Sequence, residues 1–443
     1  MRLFLAILIG KLIAFVTRTL SLGGGSAAPG LYALKLDPNL VLKLSSKIPK
    51  NIIITGTNGK TTTSRMIAHF AKKHGLHAGS KSLKVIRNHT GSNLERGIAS
   101  ALLEGTKLFH PPGGIHLHLS FDLGIWELDE AAFNSVAPKL NPDIVVFLNV
   151  FRDQLDRYGE VNSVVKGWEQ TLKHLPKRTI VLVNGDDKNT LKLKEAFKGG
   201  VETFGVKDYK IHGESIQHVR EANGLDFEAT NIKIHGLKGS SFQMTKFDGR
   251  HKMIINLPIP GIYHIYDTIA AIAVAFHLGL PLNQAIASLK NFSPAFGRVE
   301  KLPVGYIFLI KNPAGTTQVF QTIAPNLKPN DRLLLALNDN LADGTDVSWI
   351  WDVNFEELQN SSPSGDYLIY ASGTRAADLA VRLKYAGFEP NQITVEPDLK
   401  NALREARKGL EGTLYILPTY TALLAIQRLL AKIGVKKEYW KEE

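Results

Sequence analysis

The stretch NIIITGTNGKTTTSRM, which begins at Asn51, constrains the fold more than any other part of the chain. A short apolar run, Ile52 to Ile54, breaks into Thr55, Gly56, Thr57, Asn58, Gly59, Lys60, Thr61, Thr62 and Thr63, and helix-compatible sequence continues from Ser64 to Lys73. Strand, glycine-rich loop, Gly-Lys-Thr and helix in that order build a phosphate-binding loop. The glycines let backbone N–H groups turn toward a phosphate. Lys60 places a point charge for the β and γ oxygens, Thr61 offers a hydroxyl to Mg²⁺, and the helix adds its positive N-terminal end. The loop is two residues shorter than the common G-x-x-x-x-G-K-[ST] form. Gly56, Thr57, Asn58, Gly59, Lys60, Thr61 and Thr62 are therefore the expected nucleotide-binding residues.

The rest of the chain is patterned to match. NIIIT, FDLGIWEL, DIVVFLNV and TIVLVN read as buried strands of a parallel sheet, and the stretches between them are long enough for crossover helices. That pattern predicts a doubly wound α/β domain. FEATNIKIHG and FQMTKFDGRHKMIINL alternate instead, with Asp248-Gly249 as a hairpin signal, so a small antiparallel β insertion is expected over 206–257. DTIAAIAVAFHLGL resumes as a helix. RLLLALN, DYLIYAS and GTLYILP are the expected strands of a second, Rossmann-like α/β unit. The 443 residues divide into an N-terminal helix and linker (1–48), a central nucleotide-binding domain (49–297) and a C-terminal α/β domain (298–443).

A formal net charge of +12 favours anionic partners, but no nucleic-acid-binding motif accompanies it. The chain contains no cysteine, which excludes disulfides, thiolate zinc sites and cysteine nucleophiles. Its first thirty residues begin like a signal peptide, yet Lys11 interrupts the apolar run, and Leu3 to Gly10 is too short for a bilayer span of ~20 residues. A helix packed on its own domain, an interfacial amphipathic helix and a cleaved leader all remain open, with Gly23-Gly24-Gly25 expected to end the helix.

Two acidic clusters are placed to serve a metal. WELDE ends a strand, bringing Glu127, Asp129 and Glu130 to the sheet's carboxyl edge, where ligands bind in such sheets. NVFRDQLDRYGE follows another strand and carries Asp153, Asp156 and Glu160. Mg²⁺ takes few protein carboxylates. Glu127, directly in line with an apolar strand, is the preferred ligand together with Thr61.

GTNGKTTT, the later FGRVE with Arg298, and the C-terminal α/β unit resemble the Mur ligase superfamily of ATP-dependent amide-forming ligases. KNPAGTTQVF, LNDNLADGTDVSWIWDVNFE, ASGTRAADLAVRLK and PTYTALLAIQRLL are similar to the MurT family within it, the synthetase subunits of lipid II isoglutaminyl synthase. That resemblance implies ATP- and Mg²⁺-dependent activation of the D-glutamate α-carboxyl in the lipid II stem peptide, for peptidoglycan biosynthesis. Ammonia would come from a separate GatD-type glutaminase, in the cytoplasm and at the membrane surface where lipid II is presented. It further implies that Asp346, in DGTDVSW, completes the partner's Cys-His-Asp triad, with Asp343 and Asp352 ranked below it. Lys60 and Glu127 are the implied catalytic residues of the synthetase. Asn184, Asp186, His264 and Arg298 join the implied nucleotide contacts, although NGDD is also a good turn. Asn88, Thr90 and Asn93 resemble a substrate-side loop, and Thr374-Arg375 either hold a phosphate or partner, or cap a helix.

The absent cysteine agrees with a borrowed thiol, since glutamine-derived ammonia is usually released by a cysteine nucleophile. The sequence also departs from the family. No zinc ribbon is expected in 206–252, where His212, His218, His235 and His251 stand without cysteines. His264 and Asp267 occupy positions where relatives tend to carry Asn. A ligase that adds an amino acid, as folylpolyglutamate synthetases do, and a non-enzymatic ATP-binding scaffold are the alternatives. DGTDVSW argues against the first; Lys60, Glu127 and Arg298 together argue against the second.

Overall fold

A computed structural model of the chain describes residues 1–19, 27–73, 82–88, 92–109, 116–151, 161–207, 224–246, 252–293, 298–360 and 367–435. Its first helices are α1 (Arg2–Thr19), α2 (Ala28–Leu36), α3 (Leu40–Ser45), α4 (Lys60–Lys73), α5 (Glu95–Gly105) and α6 (Glu130–Leu140). The first strands are β1 (Lys50–Thr55), β2 (Val85–Arg87), β3 (Lys107–Phe109), β4 (His116–His118), β5 (Leu123–Leu128), β6 (Ile144–Phe147), β7 (Ile180–Asn184) and β8 (Gly200–Val206). They continue with β9 (Phe227–Ile234), β10 (Ser240–Lys246) and β11 (Lys252–Leu257).

β1 is apolar on both faces because both are covered. Ile52 and Ile54 enter a core shared with α4 and with the helix Ile262–His277. Ile53 points the other way, into a core with α5 and α6. This is the three-layer arrangement expected of strands that read as continuous apolar runs. The sheet has nine strands in the order β11-β10-β9-β8-β7-β6-β1-β5-β2. β1 pairs in parallel with β5 on one side and β6 on the other, so strand order switches direction at its carboxyl end. Ligand crevices form at such a switch point.

The alternating segment forms the expected antiparallel ribbon and joins the main sheet: β8 pairs in parallel with β9, and β10 and β11 extend the same sheet antiparallel. Phe227, Ala229, Phe242, Met244 and Ile255 all belong to the central core. Alternation reported the half-covered outer strands correctly, but it carries no information on whether a ribbon stands alone or joins a neighbour. Asp248-Gly249 lie outside the described residues. α1 also ends at Thr19, before the three glycines, which lie outside the described residues as well.

The second sheet begins at Arg298 and comprises β12 (Arg298–Leu302), β13 (Gly305–Phe308), β14 (Arg332–Ala336), β15 (Leu368–Ser372), β16 (Ile393–Val395) and β17 (Leu414–Pro418). Its order is β12-β13-β17-β14-β15-β16, parallel except for the β12–β13 pair.

The loop after β14 leads into a short 3₁₀ turn, Ser348–Asp352, which is anchored by Arg382. That guanidinium is buried, donates to the carbonyls of Ile350 (3.3 Å) and Val353 (2.7 Å), and pairs bidentately with Glu356 at 3.0 Å twice. Burial alone would raise the Glu356 carboxyl, but Arg382 holds it below the usual carboxylate range. Arg382→Ala leaves two carbonyls and a carboxylate without their donor. It should cost about 2–4 kcal/mol in urea unfolding, and a loss below about 1 kcal/mol would show that water replaces the guanidinium.

Candidate active site

The glycine-rich loop is shaped from the end of β6. Asn149 accepts from the backbone N–H of Asn58 through its side chain (2.8 Å) and from Thr57 through its carbonyl (3.0 Å), and its Nδ2 donates to the Asn58 carbonyl (3.1 Å). Gly56 (φ +133°) and Gly59 (φ +89°) adopt backbone conformations that side chains disfavour. A Cβ at Gly56 would meet the Asn149 carbonyl oxygen at 2.7 Å, and one at Gly59 would run into the Asp267 carboxylate. Asn149 was not singled out from the sequence.

Lys60 opens α4 and is buried. Its ammonium donates to the Gly56 carbonyl and lies 3.7 Å from Glu130 Oε2 and 3.9 Å from Asp129 Oδ1. Burial would raise the Glu130 carboxyl; the Lys60 and Lys311 charges beside it instead hold it below the usual carboxylate range. The WELDE cluster thus divides its labour. Asp129 and Glu130 accompany the lysine, while Glu127 faces the hydroxyls of α4.

Glu127 is buried near the end of β5 and accepts from Thr61 Oγ1 (2.7 Å) and Ser64 Oγ (2.6 Å). Arg87 Nη2 approaches both Ser64 Oγ (2.9 Å) and Glu127 Oε1 (3.4 Å). Asn88 clamps the Glu127 backbone: its Oδ1 accepts from the Glu127 N–H (2.9 Å) and its Nδ2 donates to the Glu127 carbonyl (2.8 Å). Thr61 and Glu127 therefore present hard oxygens next to one another at the head of α4, a donor set suited to Mg²⁺. Thr62 Oγ1, beside them, is buried without a hydrogen-bond partner. Among the described residues, no group of three or more His, Cys, Asp or Glu side chains converges as a metal site.

The C-terminal unit reaches back onto this loop. Asn312, which caps the helix Pro313–Ile323, exchanges side-chain hydrogen bonds with Asn58 at 3.1 and 3.3 Å. Lys311 donates to the Thr57 carbonyl at 3.1 Å. A cleft between the two units is lined by Asn58, Gly59, Tyr263, His264, Lys311 and Gln318, among others. His264 lies in the first turn of its helix and sits 3.2 Å from Asp267 Oδ2, while Thr63 approaches Asp267 Oδ1 at 3.3 Å. His264 and Asp267 thus form a buried pair behind Gly59.

The remaining expected residues have the following surroundings. Asn184 is committed to its turn: Nδ2 donates to the Leu148 carbonyl (2.8 Å) and Oδ1 accepts from the Asp186 N–H (3.0 Å). Asp186 accepts from the Val206 N–H and from the Tyr266 hydroxyl, both at 2.7 Å. Both side chains are buried, and the hydrogen bonds they make here are those of the turn and its neighbours. Arg298 opens β12, but its side chain, like Thr90, Asp153, Gln154, Asp156 and Glu160, lies outside the described residues. His212, His218 and His251 lie outside them too, and His235 is exposed, 2.8 Å from Ser241 Oγ. Asn93 accepts from the Asp129 N–H through its carbonyl (3.0 Å).

Asp346 is exposed, and its Oδ1 accepts from the Ser348 N–H at 2.8 Å. Asp343 is buried and holds Thr421 through the backbone N–H (2.7 Å) and the hydroxyl (2.5 Å). Thr374 and Arg375 bind Asp339 at 2.8 and 3.3 Å, which ties the SGTR turn to the same loop.

The central unit matches the family model for the Mur ligase middle domain over residues 54–275, half of the chain. The chain belongs to the Mur ligase family. Residues 309–423 of this Mur ligase match a second model, the MurT ligase C-terminal. The lipid II isoglutaminyl synthase (glutamine-hydrolyzing) subunit MurT of Streptococcus pneumoniae is 29% identical, with 96% of each chain covered. The protein of the same name from Staphylococcus aureus is also 29% identical over 96% of each. Among solved structures, MurF from Acinetobacter baumannii superposes with a TM-score of 0.69 at 19% identity, covering 92% of this chain and 81% of that one. The shared fold therefore extends through both α/β units of this Mur ligase.

Proposed function

We propose that this Mur ligase is the synthetase subunit that amidates the D-glutamate α-carboxyl of the lipid II stem peptide, using ATP, Mg²⁺ and ammonia from a separate GatD-type glutaminase. The observation that carries the reading is end-to-end similarity to two MurT subunits, joined to a MurT-type C-terminal unit over 309–423. The site supports the chemistry. A carboxylate oxygen attacks the γ-phosphorus, the bond to the bridging oxygen of ADP breaks, and ammonia then attacks the acyl carbon as phosphate leaves. Lys60 and the loop N–H groups stabilise the transferring phosphoryl group where its charge develops. Thr61 and Glu127 would hold the Mg²⁺, which neutralises phosphate charge when bound. Lys311 brings a second cation to the loop from the other unit, so closure of the two units completes the site.

The ammonia source is read from what the chain lacks and what its surface offers. With no cysteine, this chain supplies no thiol for glutamine hydrolysis. Asp346 is exposed at the start of the 3₁₀ turn, and the turn's Trp351 is half-exposed and packs edge-on against exposed Tyr385. Exposed Val381, one turn before Tyr385 on the helix Ala376–Tyr385, extends this apolar surface, the composition of a protein-binding patch. A cytoplasmic location follows from ATP and the proposed partner; among the described residues no helix is long and apolar enough to cross a membrane.

The test is direct. The purified chain receives ATP, Mg²⁺ and an acceptor with the D-glutamate-containing stem, with ammonium or single amino acids as the amine, and the product is weighed by mass spectrometry. Ammonium should yield the amide. A product formed only with an amino acid would replace this reading with a peptide-extending ligase.

A further inference from the structure

α1 is covered on one side and bare on the other. Ala6, Ile7 and Gly10 are buried, and a Cβ at Gly10 would stand 3.4 Å from Ala33 of α2 and 3.3 Å from a methyl of Leu103 of α5. The opposite face exposes Leu5, Leu8, Leu12, Phe15 and Val16, spaced as one helical stripe. Leu12 and Phe15 are 61% and 68% exposed, values that decide against a core role for this face. Neighbouring α2 exposes Leu31 and Tyr32, and the Lys35 ammonium sits 5.4 Å from the Tyr32 ring centre. Such a contiguous apolar surface signals a binding face.

Charge selects the occupant. The first fifty residues carry seven Lys or Arg and one Asp, a net +6 that is half the chain's +12. α1 itself carries Arg2, Lys11 and Arg18 and no acid, with Arg18 paired to the exposed Glu104 of α5 at 2.5 Å. We propose that the bare face of α1, with α2 beside it, docks onto an anionic lipid bilayer, lying in the plane of the headgroups. An apolar stripe flanked by cations is the composition of interfacial helices, whose long basic side chains keep their charges at the headgroups. Spanning is ruled out by the buried half of the helix, which is packed into its own domain. A second copy of the chain would bring the same positive charge against itself. The proposal goes beyond the amidation reading and does not depend on it.

The experiment uses the full chain and sedimentation with phosphatidylcholine vesicles, with and without phosphatidylglycerol. The comparison variant is Leu12→Gln with Phe15→Gln, both at exposed positions, and thermal melts confirm that it folds. Wild type should bind the phosphatidylglycerol vesicles and release at high salt. The double variant should bind about a hundred-fold more weakly, about ten-fold per lost side chain. Amidation of a water-soluble acceptor should be unchanged in the variant. Vesicle binding without any amidation supports the docking face and defeats only the enzymatic reading. Absence of vesicle binding, binding insensitive to the two substitutions, or a concentration-dependent dimer that they abolish would each overturn the proposal.

Discussion

Lys60→Ala should lower ATP-dependent amidation by about 10²–10³-fold or more, because the transferring phosphoryl group loses its buried cation. The substitution also has a structural cost. Lys60 partners Glu130 and Asp129, and Glu130 is buried, so removing the ammonium leaves that carboxylate with the Lys311 charge and the hydrogen bonds from the Thr57 side chain and its own backbone. A loss of about 1–3 kcal/mol in stability is expected from an uncompensated buried group. Activity loss and stability loss are separable with a second variant. Lys60→Ala combined with Glu130→Gln removes the stranded charge and should melt closer to wild type. If Lys60 acts on phosphate, the double variant remains inactive. Recovery of turnover together with stability would mean that Lys60 serves the fold, and the phosphate-loop mechanism would fail.

What was legible in the sequence was local. The phosphate loop, its flanking strand and helix, and the placement of Glu127 at the end of β5 all follow from runs of adjacent residues whose periodicity and turn chemistry are set within the segment. The parallel strands of both units were readable for the same reason, as apolar runs of strand length. What stayed hidden depends on distant chain. Asn149 shapes the loop across 91 residues, and Lys311 and Asn312 reach it across 254. A lone Asn after a strand, or Lys-Asn before a proline, carries no signal of the loop it will meet. Asn184 and Asp186, which a resemblance suggested as nucleotide contacts, bond Leu148, the end of β8 and Tyr266, none of which a turn signal in the sequence announces. The outer strands β9 to β11 were recognised as strands, but a two-residue period does not say which edge a ribbon will join.

The N-terminal segment illustrates a related ambiguity. Packing on the domain and exposure of an apolar face were weighed as competing fates for one helix. In the structure a single helix does both, since small residues Ala6 and Gly10 permit close packing on one side while Leu and Phe occupy the other. Mean composition cannot separate these outcomes; the spacing of small residues can.

Asp346→Asn should collapse amidation driven by glutamine and the partner glutaminase, by about 10³–10⁴-fold, while amidation driven by high free ammonium survives within a few-fold. A third triad member orients the catalytic histidine and stabilises its charged form, which an amide cannot do. The structure makes this substitution a clean one. Asp346 accepts from the Ser348 N–H, and Asn accepts such a bond equally well, so the turn should keep its shape and stability. The side chain is exposed. Its turn is fixed from below by Arg382, which is what a residue presented to another protein requires, since a triad tolerates little misplacement. In the proposed mechanism, carboxyl activation uses Lys60, Thr61 and Glu127 at the head of α4, on the other unit, and makes no use of Asp346. Equal loss with both ammonia sources would therefore assign Asp346 to the synthetase site or the fold. Full glutamine-driven activity would leave its carboxylate as a turn cap and nothing more.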